Sequence, residues 1–327
     1  MTGNMSIARY AHTASTLANG SVLVAGGFNG SSYLNSAELY NTSTGTWIIT
    51  GSMSVARYYH TASVLANGSV LVTGGNGSSG CLNSAELYHP STGTWTTTGN
   101  MSVAREYHTA STLANGYVLV AGGYNGAYLN SAELYHPSTG TWTITGSMST
   151  AREYHTASTL SNGSVLVAGG YNGAYLNSTE LYNPLTGIWT TTGNMSIARR
   201  SYTASTLANG SVLVAGGYSN SSYLNSAELY HPLTGTWTTI GSMSTAREYH
   251  TAFTLANGLV LVAGGQGNGT NSLNSAELYN PSTGTWTTTG NMNVARRFHT
   301  ASTLANGSVL VTGGYGSNGY LNSAELY

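Results

Sequence analysis

A pair of adjacent glycines recurs seven times along this 327-residue chain, and the spacing of the pairs constrains the fold more than any other feature. The steps between pairs are 47 to 49 residues, and the first glycines are Gly26, Gly74, Gly122, Gly169, Gly216, Gly264 and Gly313. A repeat of this length with several short strands is typical of a β-propeller, in which small sheets surround a central axis. One unit cannot bury both of its faces alone, so we predict that the seven units form one ring.

Each of the first six units contains four strand signals, as the third unit illustrates. "YHTASTLANGYVLVAGG" (107–123) has an alternating apolar run, an Asn-Gly pair suited to a tight hairpin, and a Val- and Leu-rich run that ends at two glycines. "NSAELY" (130–135) follows, then a turn with Pro and Gly, and then the β-branched segment "TWTIT" (141–145). We name these strands a, b, c and d. Four strands in about 47 residues leave no room for a helix.

The residues that recur from unit to unit resemble the kelch repeat. These are the double glycine after an apolar strand, the Tyr of "AELY", the Trp seven residues beyond it, and the Arg that opens the next unit. The resemblance covers all seven units. It implies a β-propeller in which strand a lines the channel and strand d forms the rim, generally acting as a platform that binds other molecules. Two departures from the family are the absence of Lys and Asp and the lack of a second domain beside the repeats.

We therefore predict an all-β fold, a seven-bladed β-propeller of four-stranded antiparallel blades. The sequence stops at Tyr327, at the end of strand c of the seventh unit, so the seventh blade is predicted to lack most of its outer strand. We expect a segment of a longer protein, with a bare strand c at this edge. The single predicted domain spans residues 1–327, with units at about 8–53, 56–101, 104–148, 151–195, 198–243, 246–292 and 295–327.

Composition limits the classes of partner. Charged residues make up 6% of the chain and the net charge is −1, so there is no basic surface for nucleic acid. The longest apolar runs have about five or six residues, far below the ~20 that cross a bilayer. Two features slightly favour the cytoplasm: the chain has a single cysteine, Cys81, and it lacks an apolar signal-peptide stretch. Fourteen Asn-x-Ser/Thr triplets, which are potential glycosylation sites, keep an extracellular location open.

Two recurring polar patterns are predicted to be structural. Each unit has one Arg before strand a and one Glu in strand c, such as Arg57 with Glu86, and an isolated buried charge is costly, so we predict one ion pair per blade. Histidine recurs at one position, with Tyr202 in the fifth unit: His12, His60, His108, His155, His250 and His299. Equivalent atoms of neighbouring blades are too far apart to share a metal at ~2.1 Å from each nitrogen. We therefore predict no metal site and no cofactor.

Variation is concentrated at two places in the repeat. The separation from each strand-c Glu to the next double glycine is constant, so every change in period falls in the loop between strands b and c. The two residues after each repeat Arg also vary in charge and size. In an up-and-down blade both places lie on the same face. The predicted binding face comprises Tyr10, Tyr58, Tyr59, Glu106, Tyr107, Glu153, Tyr154, Arg200, Glu248, Tyr249, Arg297 and Phe298.

Loop residues on a rigid scaffold commonly carry binding, and Tyr provides contact area with little loss of entropy. We therefore predict a non-catalytic scaffold that presents this face to a protein partner, without nucleic acid or membrane contacts. The alternatives are a carbohydrate-binding or galactose-oxidase-like propeller, or a fragment of a larger kelch adaptor protein. Galactose oxidase, which shares the kelch-type propeller, needs a Cys cross-linked to Tyr together with further Tyr and His ligands. Cys81 lies alone in a variable loop, so we predict no catalytic residues.

Overall fold

Seven small sheets surround a central channel in the computed structural model, which describes residues 2–269 and 271–327. Six sheets have four antiparallel strands in the order a, b, c, d, and the seventh has strands a, b and c. Strand a of each blade contacts strand a of the next, and the first and seventh blades meet to close the ring. The predicted seven-bladed propeller, including its shorter last blade, is confirmed.

The strand boundaries repeat from blade to blade. Strands a are Thr13–Thr16, Thr61–Val64, Thr109–Thr112, Thr156–Thr159, Thr203–Thr206, Thr251–Thr254 and Thr300–Thr303. Strands b are Val22–Ala25, Val70–Thr73, Val118–Ala121, Val165–Ala168, Val212–Ala215, Val260–Ala263 and Val309–Thr312. Strands c are Ala37–Asn41, Ala85–His89, Ala132–His136, Thr179–Asn183, Ala227–His231, Ala276–Asn280 and Ala324–Leu326. Strands d are Thr46–Ile49, Thr94–Thr97, Thr141–Ile144, Ile188–Thr191, Thr236–Ile240 and Thr285–Thr288.

Three of the b–c loops form additional two-residue hairpins. These pair Asn76–Gly77 with Gly80–Cys81, Tyr218–Ser219 with Ser222–Tyr223, and Tyr315–Gly316 with Gly319–Tyr320. No helix capable of crossing a bilayer occurs in residues 2–269 or 271–327.

The hydrophobic core lies between the blades. Every residue of the seven strands b is buried, because both faces of this strand pack against neighbouring sheets. Leu23 and Met53 of the first unit, for example, pack against Val70, Val72 and Tyr88 of the second blade. Each fully buried Val or Leu side chain contributes roughly 1.5–3 kcal/mol relative to exposure. A single blade therefore depends on its neighbours for most of its hydrophobic stabilisation.

A buried ion pair fastens each blade to the segment that enters it. Arg57 donates from Nη2 to Glu86 Oε1 at 3.1 Å and from Nη1 to the Gly74 carbonyl at 2.8 Å. Glu86 Oε2 also accepts the backbone N–H of Ser54 at 2.7 Å. The same Arg–Glu pair occurs in all seven blades with N–O distances of 2.6–3.1 Å. The predicted structural role of these charges is confirmed.

A second ring of polar contacts joins strand a of each blade to the next blade. His108 Nε2 is hydrogen-bonded to Thr61 Oγ1 at 3.0 Å, and five other histidines repeat this contact. In the fifth blade the Thr156 hydroxyl donates instead to Tyr202 Oη at 3.1 Å. Burial lowers the pKa of His108 to about 3, so this imidazole is neutral at physiological pH. The recurring histidines are thus part of the inter-blade framework.

Candidate functional site

The two variable places of the repeat meet on one face of the propeller. In each blade, the residue after the repeat Arg pairs in an antiparallel bridge with the residue after the double glycine. These pairs are Tyr10–Phe28, Tyr58–Asn76, Glu106–Tyr124, Glu153–Tyr171, Arg200–Tyr218, Glu248–Gln266 and Arg297–Tyr315. The b–c loops and the d–a connections therefore surround the same end of the channel, which we call the mouth.

The next residue of each blade forms the floor of the mouth. The floor consists of Ala11, Tyr59, Tyr107, Tyr154, Ser201, Tyr249 and Phe298, and each has a φ of +51° to +55°. Backbone hydrogen bonds link the floor from blade to blade, as from Tyr59 N–H to the Ala11 carbonyl at 3.1 Å. A left-handed conformation costs a non-glycine residue about 1–3 kcal/mol and persists only where the surrounding structure enforces it.

Five aromatic rings of the floor fill the centre of the mouth. Tyr107 stacks on Tyr154 with ring centroids 4.1 Å apart, and Tyr249 stacks on Phe298 at 3.8 Å. The two stacks meet where Tyr154 approaches Tyr249 edge-on at 6.3 Å. Burial raises the pKa of Tyr59 and of Tyr154 far above the usual range, so both phenols are neutral. The floor is therefore an uncharged, closely packed aromatic surface.

A cavity of about 280 Å³ lies between the floor and the ring of histidines. It is lined by Tyr59, Tyr107, His108, Tyr154, His155, Ser201, Tyr202, Tyr249, His250 and Phe298. His108, His155 and His250 each make the Thr contact described above, and burial lowers the pKa of all three. The histidines that reach this cavity are therefore neutral and already engaged in holding the blades together.

Around the floor, the residue after each repeat Arg occupies a slot between its own blade and the b–c loop of the preceding blade. Arg200 shows the arrangement most fully. Its guanidinium carbon lies 5.6 Å from the Tyr154 ring centroid, 5.2 Å from Tyr171, and 5.7 Å from both Tyr175 and Tyr218. Each cation–π contact of this kind contributes roughly 0.5–2 kcal/mol. Tyrosines from two adjacent blades thus form a cage around one positive charge.

Three other slots hold carboxyl groups that are almost completely buried. The exposed fractions of Glu106, Glu153 and Glu248 are 7%, 8% and 6%. None of the three carboxylates lies within 4 Å of a cationic nitrogen in the described parts of the chain. Burial raises the pKa of Glu153 and of Glu248 to about 7 in each case, against the opposing effect of Arg200. These carboxyls exchange protons near neutral pH.

Glu106 has the most unusual surroundings of the three. Its Oε1 accepts a hydrogen bond from Asn76 Nδ2 at 3.0 Å, and Cys81 Sγ lies 3.6 Å from the same oxygen. Its Oε2 is buried and has no hydrogen-bond partner among the residues that the structure describes. Burial raises the pKa of this carboxyl as well, while Asn76 and Cys81 oppose the shift.

The structure brings all twelve residues of the predicted face to the mouth, five in the floor and seven in the slots. It adds a third layer that sequence reasoning missed, the walls formed by aromatic residues of the b–c loops. Tyr33 packs on Tyr58 with centroids 5.2 Å apart, and Phe28 packs on Tyr320 at 5.7 Å. The signal in the sequence is an aromatic residue at both ends of most b–c loops, as in "YNGAY" at 124–128. Differences in loop length identified the variable face, but they do not show which loop residues are aromatic.

Family comparisons agree with this architecture. The KLHDC2/KLHL20/DRC7 Kelch-repeats domain matches residues 1–148, and the Kelch motif matches residues 154–196, 199–244 and 249–293. The chain is a kelch-repeat β-propeller. Comparison with curated protein sequences gives no significant match.

Among solved structures, the kelch propeller is similar to one described as "Novel fungal alcohol oxidase with catalytic diversity among the AA5 family, in complex with copper". The TM-score is 0.81 and the identity is 20%, over 99% of this chain and 74% of the oxidase chain. At this identity the likeness shows the fold alone.

The residues of the kelch propeller do not fit a copper centre of that kind. The thiol of Cys81 has Glu106 and Asn76 as its side-chain neighbours. Within the two described segments, no group of three or more His, Cys, Asp or Glu side chains is placed to hold a metal ion. We therefore derive no chemistry through copper.

Proposed function

We propose that the kelch propeller is a non-catalytic scaffold that binds a protein partner in its mouth. The observation that carries this proposal is the contrast between a framework repeated in every blade and a mouth whose slots hold Tyr, Glu or Arg. Kelch-repeat domains typically bind proteins, which supports this class of partner. Function on such scaffolds depends on the variable residues of the loops.

The chemistry of the mouth also supports a binding role. Tyrosine provides a large contact area, a hydroxyl for hydrogen bonding and little conformational entropy to lose, which explains its enrichment at binding hot spots. Tyr58 and Tyr128 belong to the slots and walls, and Tyr107 and Tyr154 to the floor. A partner segment entering the mouth would therefore contact rings on several sides.

The histidines and arginines below the floor of the mouth belong to the framework. The channel histidines are held neutral and bonded to threonine, and the buried arginines below them are paired with glutamate. A general base or nucleophile needs a free, correctly placed group, and these groups are committed to the framework.

The test uses substitutions that the repeat itself contains. Ser272 occupies the wall position of Tyr33, Tyr175 and Tyr320, so a triple Tyr→Ser variant should keep the fold while removing three wall rings. We expect cross-linking and quantitative pull-down to identify a partner whose affinity falls at least tenfold in this variant, about 1.4 kcal/mol.

The matched control is a substitution in a strand c to strand d turn, on the opposite face. Leu185 and Leu233 are fully exposed there, and the equivalent residue is Ser in other blades, so Leu→Ser should leave partner affinity unchanged. Equal affinity of the wild type and the triple Tyr→Ser variant would contradict the proposal. Retention of neutral oligosaccharides on a glycan array, with the same sensitivity to Tyr→Ser, would instead support a carbohydrate ligand.

A further inference from the structure

The slot that contains Glu106 differs in its walls from the two other slots that hold a carboxyl group. Asn76 and Cys81 of the second blade stand where the fourth blade has Tyr171 and Tyr175. Two aromatic rings are therefore missing from the wall that faces Glu106. Asn76 instead donates its amide hydrogen to the carboxylate and fixes Oε1, so that the group is held in place.

The propeller contains its own example of what an equivalent slot can hold. Between the fourth and fifth blades, the guanidinium of Arg200 is surrounded by four tyrosine rings at 5.2–5.7 Å. Arg200 also interacts electrostatically with the carboxyl groups of Glu153 and Glu248, which occupy the slots on either side of it. A positive side chain is thus compatible with the size and chemistry of these slots, provided that rings and a carboxylate are nearby.

Glu106 supplies a carboxylate beside the rings of Tyr58 and Tyr107, but none of the described residues places a cation against it. Glu153 in the neighbouring slot interacts with Arg200, and Glu248 interacts with Arg200 and Arg297. For Glu106, the neighbours are Asn76, Cys81, the neutral phenols of Tyr58 and Tyr107, and the carboxyl group of Glu153 in the next slot. A buried carboxylate oxygen without a hydrogen-bond partner is costly, and an arriving N–H donor would remove that cost.

We propose that the Glu106 slot binds the positively charged side chain of an arginine or lysine in the partner protein. This proposal rests on the proposed function and specifies the chemistry of the partner. The cation would donate to Glu106 Oε2 and lie against the rings of the mouth, as Arg200 does in its own slot. A charge-assisted hydrogen bond in such a water-poor site is stronger and more geometrically specific than one between neutral groups.

The proposed contact has a distinctive dependence on pH. Burial favours the protonated, neutral form of Glu106, whereas a bound cation favours the ionised form. Binding of the cation should therefore release a proton, and affinity should increase as the pH rises through the pKa of this carboxyl. A contact formed only by aromatic packing would have no such linkage.

The experiment uses the full chain and two synthetic peptides, acetyl-Gly-Arg-Gly-Arg-Gly-amide and the same peptide with citrulline in place of arginine. Citrulline keeps the shape of arginine but lacks the charge. We expect calorimetry to give about tenfold tighter binding of the arginine peptide at pH 8. This preference should be lost in Glu106→Gln, which removes the negative charge. Leu233→Ser, on the opposite face, should keep it.

Equal binding of the two peptides, absence of binding by the arginine peptide, or a preference that survives in Glu106→Gln would overturn the proposal. Glu106→Gln changes one heavy atom of the side chain, so its effect on the preference reports on the charge of Glu106. The proposed function is tested separately. The triple Tyr→Ser variant measures whether partner affinity depends on the wall tyrosines, and this result does not depend on a basic residue of the partner at the Glu106 slot.

Discussion

Thr156 donates a hydrogen bond to Tyr202, and this contact replaces the Thr–His contact found between the other blades. Tyr202 also donates to the carbonyl of Ala168, so its hydroxyl is satisfied inside the ring. The inter-blade framework therefore accepts either a neutral imidazole or a phenol at this position. The difference is that only the imidazole can take up a proton between about pH 3 and 7.

Acid should destabilise the propeller as the pH falls below about 6.5, the usual pKa of an unfolded histidine. Burial lowers the pKa of His108 and His299 to about 3, and lowers the pKa of His12, His60, His155 and His250 well below the usual range. Between these values the unfolded chain binds more protons than the folded one. The free energy of unfolding should then fall by up to about 1.4 kcal/mol per pH unit for each histidine.

The buried carboxyls of the mouth act in the opposite direction. Their raised pKa values mean that the folded protein binds more protons than the unfolded chain between about pH 4.5 and 7. There are fewer of them than histidines, so they reduce the acid effect without reversing it. Urea unfolding across about pH 5 to 8 measures the net dependence of the free energy of unfolding on pH. The variant His108→Tyr introduces the residue that the fifth blade has at Tyr202. Near pH 5, the free energy of unfolding of this variant should change less steeply with pH, by about 1.4 kcal/mol per pH unit. An unchanged slope in this variant would show that His108 does not titrate on unfolding.

Removing one partner of a blade's ion pair should be strongly destabilising, and the costs of removing the two partners should not add. Glu86→Gln leaves the Arg57 guanidinium buried without a counter-ion and weakens the bond to Ser54, so we expect a loss of about 3–5 kcal/mol in the free energy of unfolding. Arg57→Met/Glu86→Gln should be less destabilised than the sum of its single variants. Urea unfolding of the four proteins provides the double-mutant cycle. Additive losses would mean that the two residues act independently.

Two glycines with similar backbone angles should respond differently to alanine. Gly74 has a φ of +63°, and an added Cβ would lie 2.6 Å from the carbonyl oxygen of Arg105 in the next blade. Gly68, in the a–b turn, has a φ of +81°, and no atom of the described chain lies within 4 Å of an added Cβ. Gly68→Ala should cost about 1–2 kcal/mol from backbone strain alone. Gly74→Ala should cost at least ~2 kcal/mol more, because backbone atoms of two blades must separate. Similar melting temperatures for the two variants would refute the close approach.

The framework could be predicted from the sequence because its determinants recur at fixed spacing. Arg57 and Glu86 pair with one another as their repeat positions predict. The repeat units differ in length only in the b–c loops, and this pattern identified the face on which Tyr58 and Tyr59 lie. The burial of Glu106 could not be predicted in this way. It depends on how far the b–c loop of the preceding blade folds over the slot, which is a tertiary property.

The floor illustrates a second limit of sequence reasoning. Tyr59 has a φ of +52°, a conformation that local propensity assigns to glycine or asparagine rather than to a bulky aromatic residue. Contacts from neighbouring blades, such as the hydrogen bond to the Ala11 carbonyl, enforce this angle. The direction in which the floor side chains point therefore follows from closure of the ring. The binding role of the predicted face stays a prediction.

The outer edge of the seventh blade should be stabilised by an added strand. In the second blade, strand d covers strand c, where Trp95 packs on Tyr88 with centroids 5.1 Å apart and donates from Nε1 to the Gly51 carbonyl at 2.8 Å. In the seventh blade, Ala324–Leu326 pairs with strand b, and the described residues provide no strand on its other side. Leu326 is 49% exposed at this edge. An unpaired strand edge is also a template for association with another chain.

We expect an added strand to pair with this edge, either His-Pro-Ser-Thr-Gly-Thr-Trp-Thr-Thr after Tyr327, as it follows Tyr88, or Ser-Thr-Gly-Thr-Trp-Thr before Met1, as it precedes Thr97. Its ladder of hydrogen bonds and its buried Trp ring should raise the melting temperature by several degrees, since about 1 kcal/mol corresponds to ~2–4 °C in a domain of this size class. Sedimentation velocity should show less self-association than in the chain without the extension. A matched extension with Gly in place of Trp and both neighbouring Thr residues controls for added length. If the two extended proteins melt together and associate alike, the edge of the seventh blade does not accept a strand of this kind.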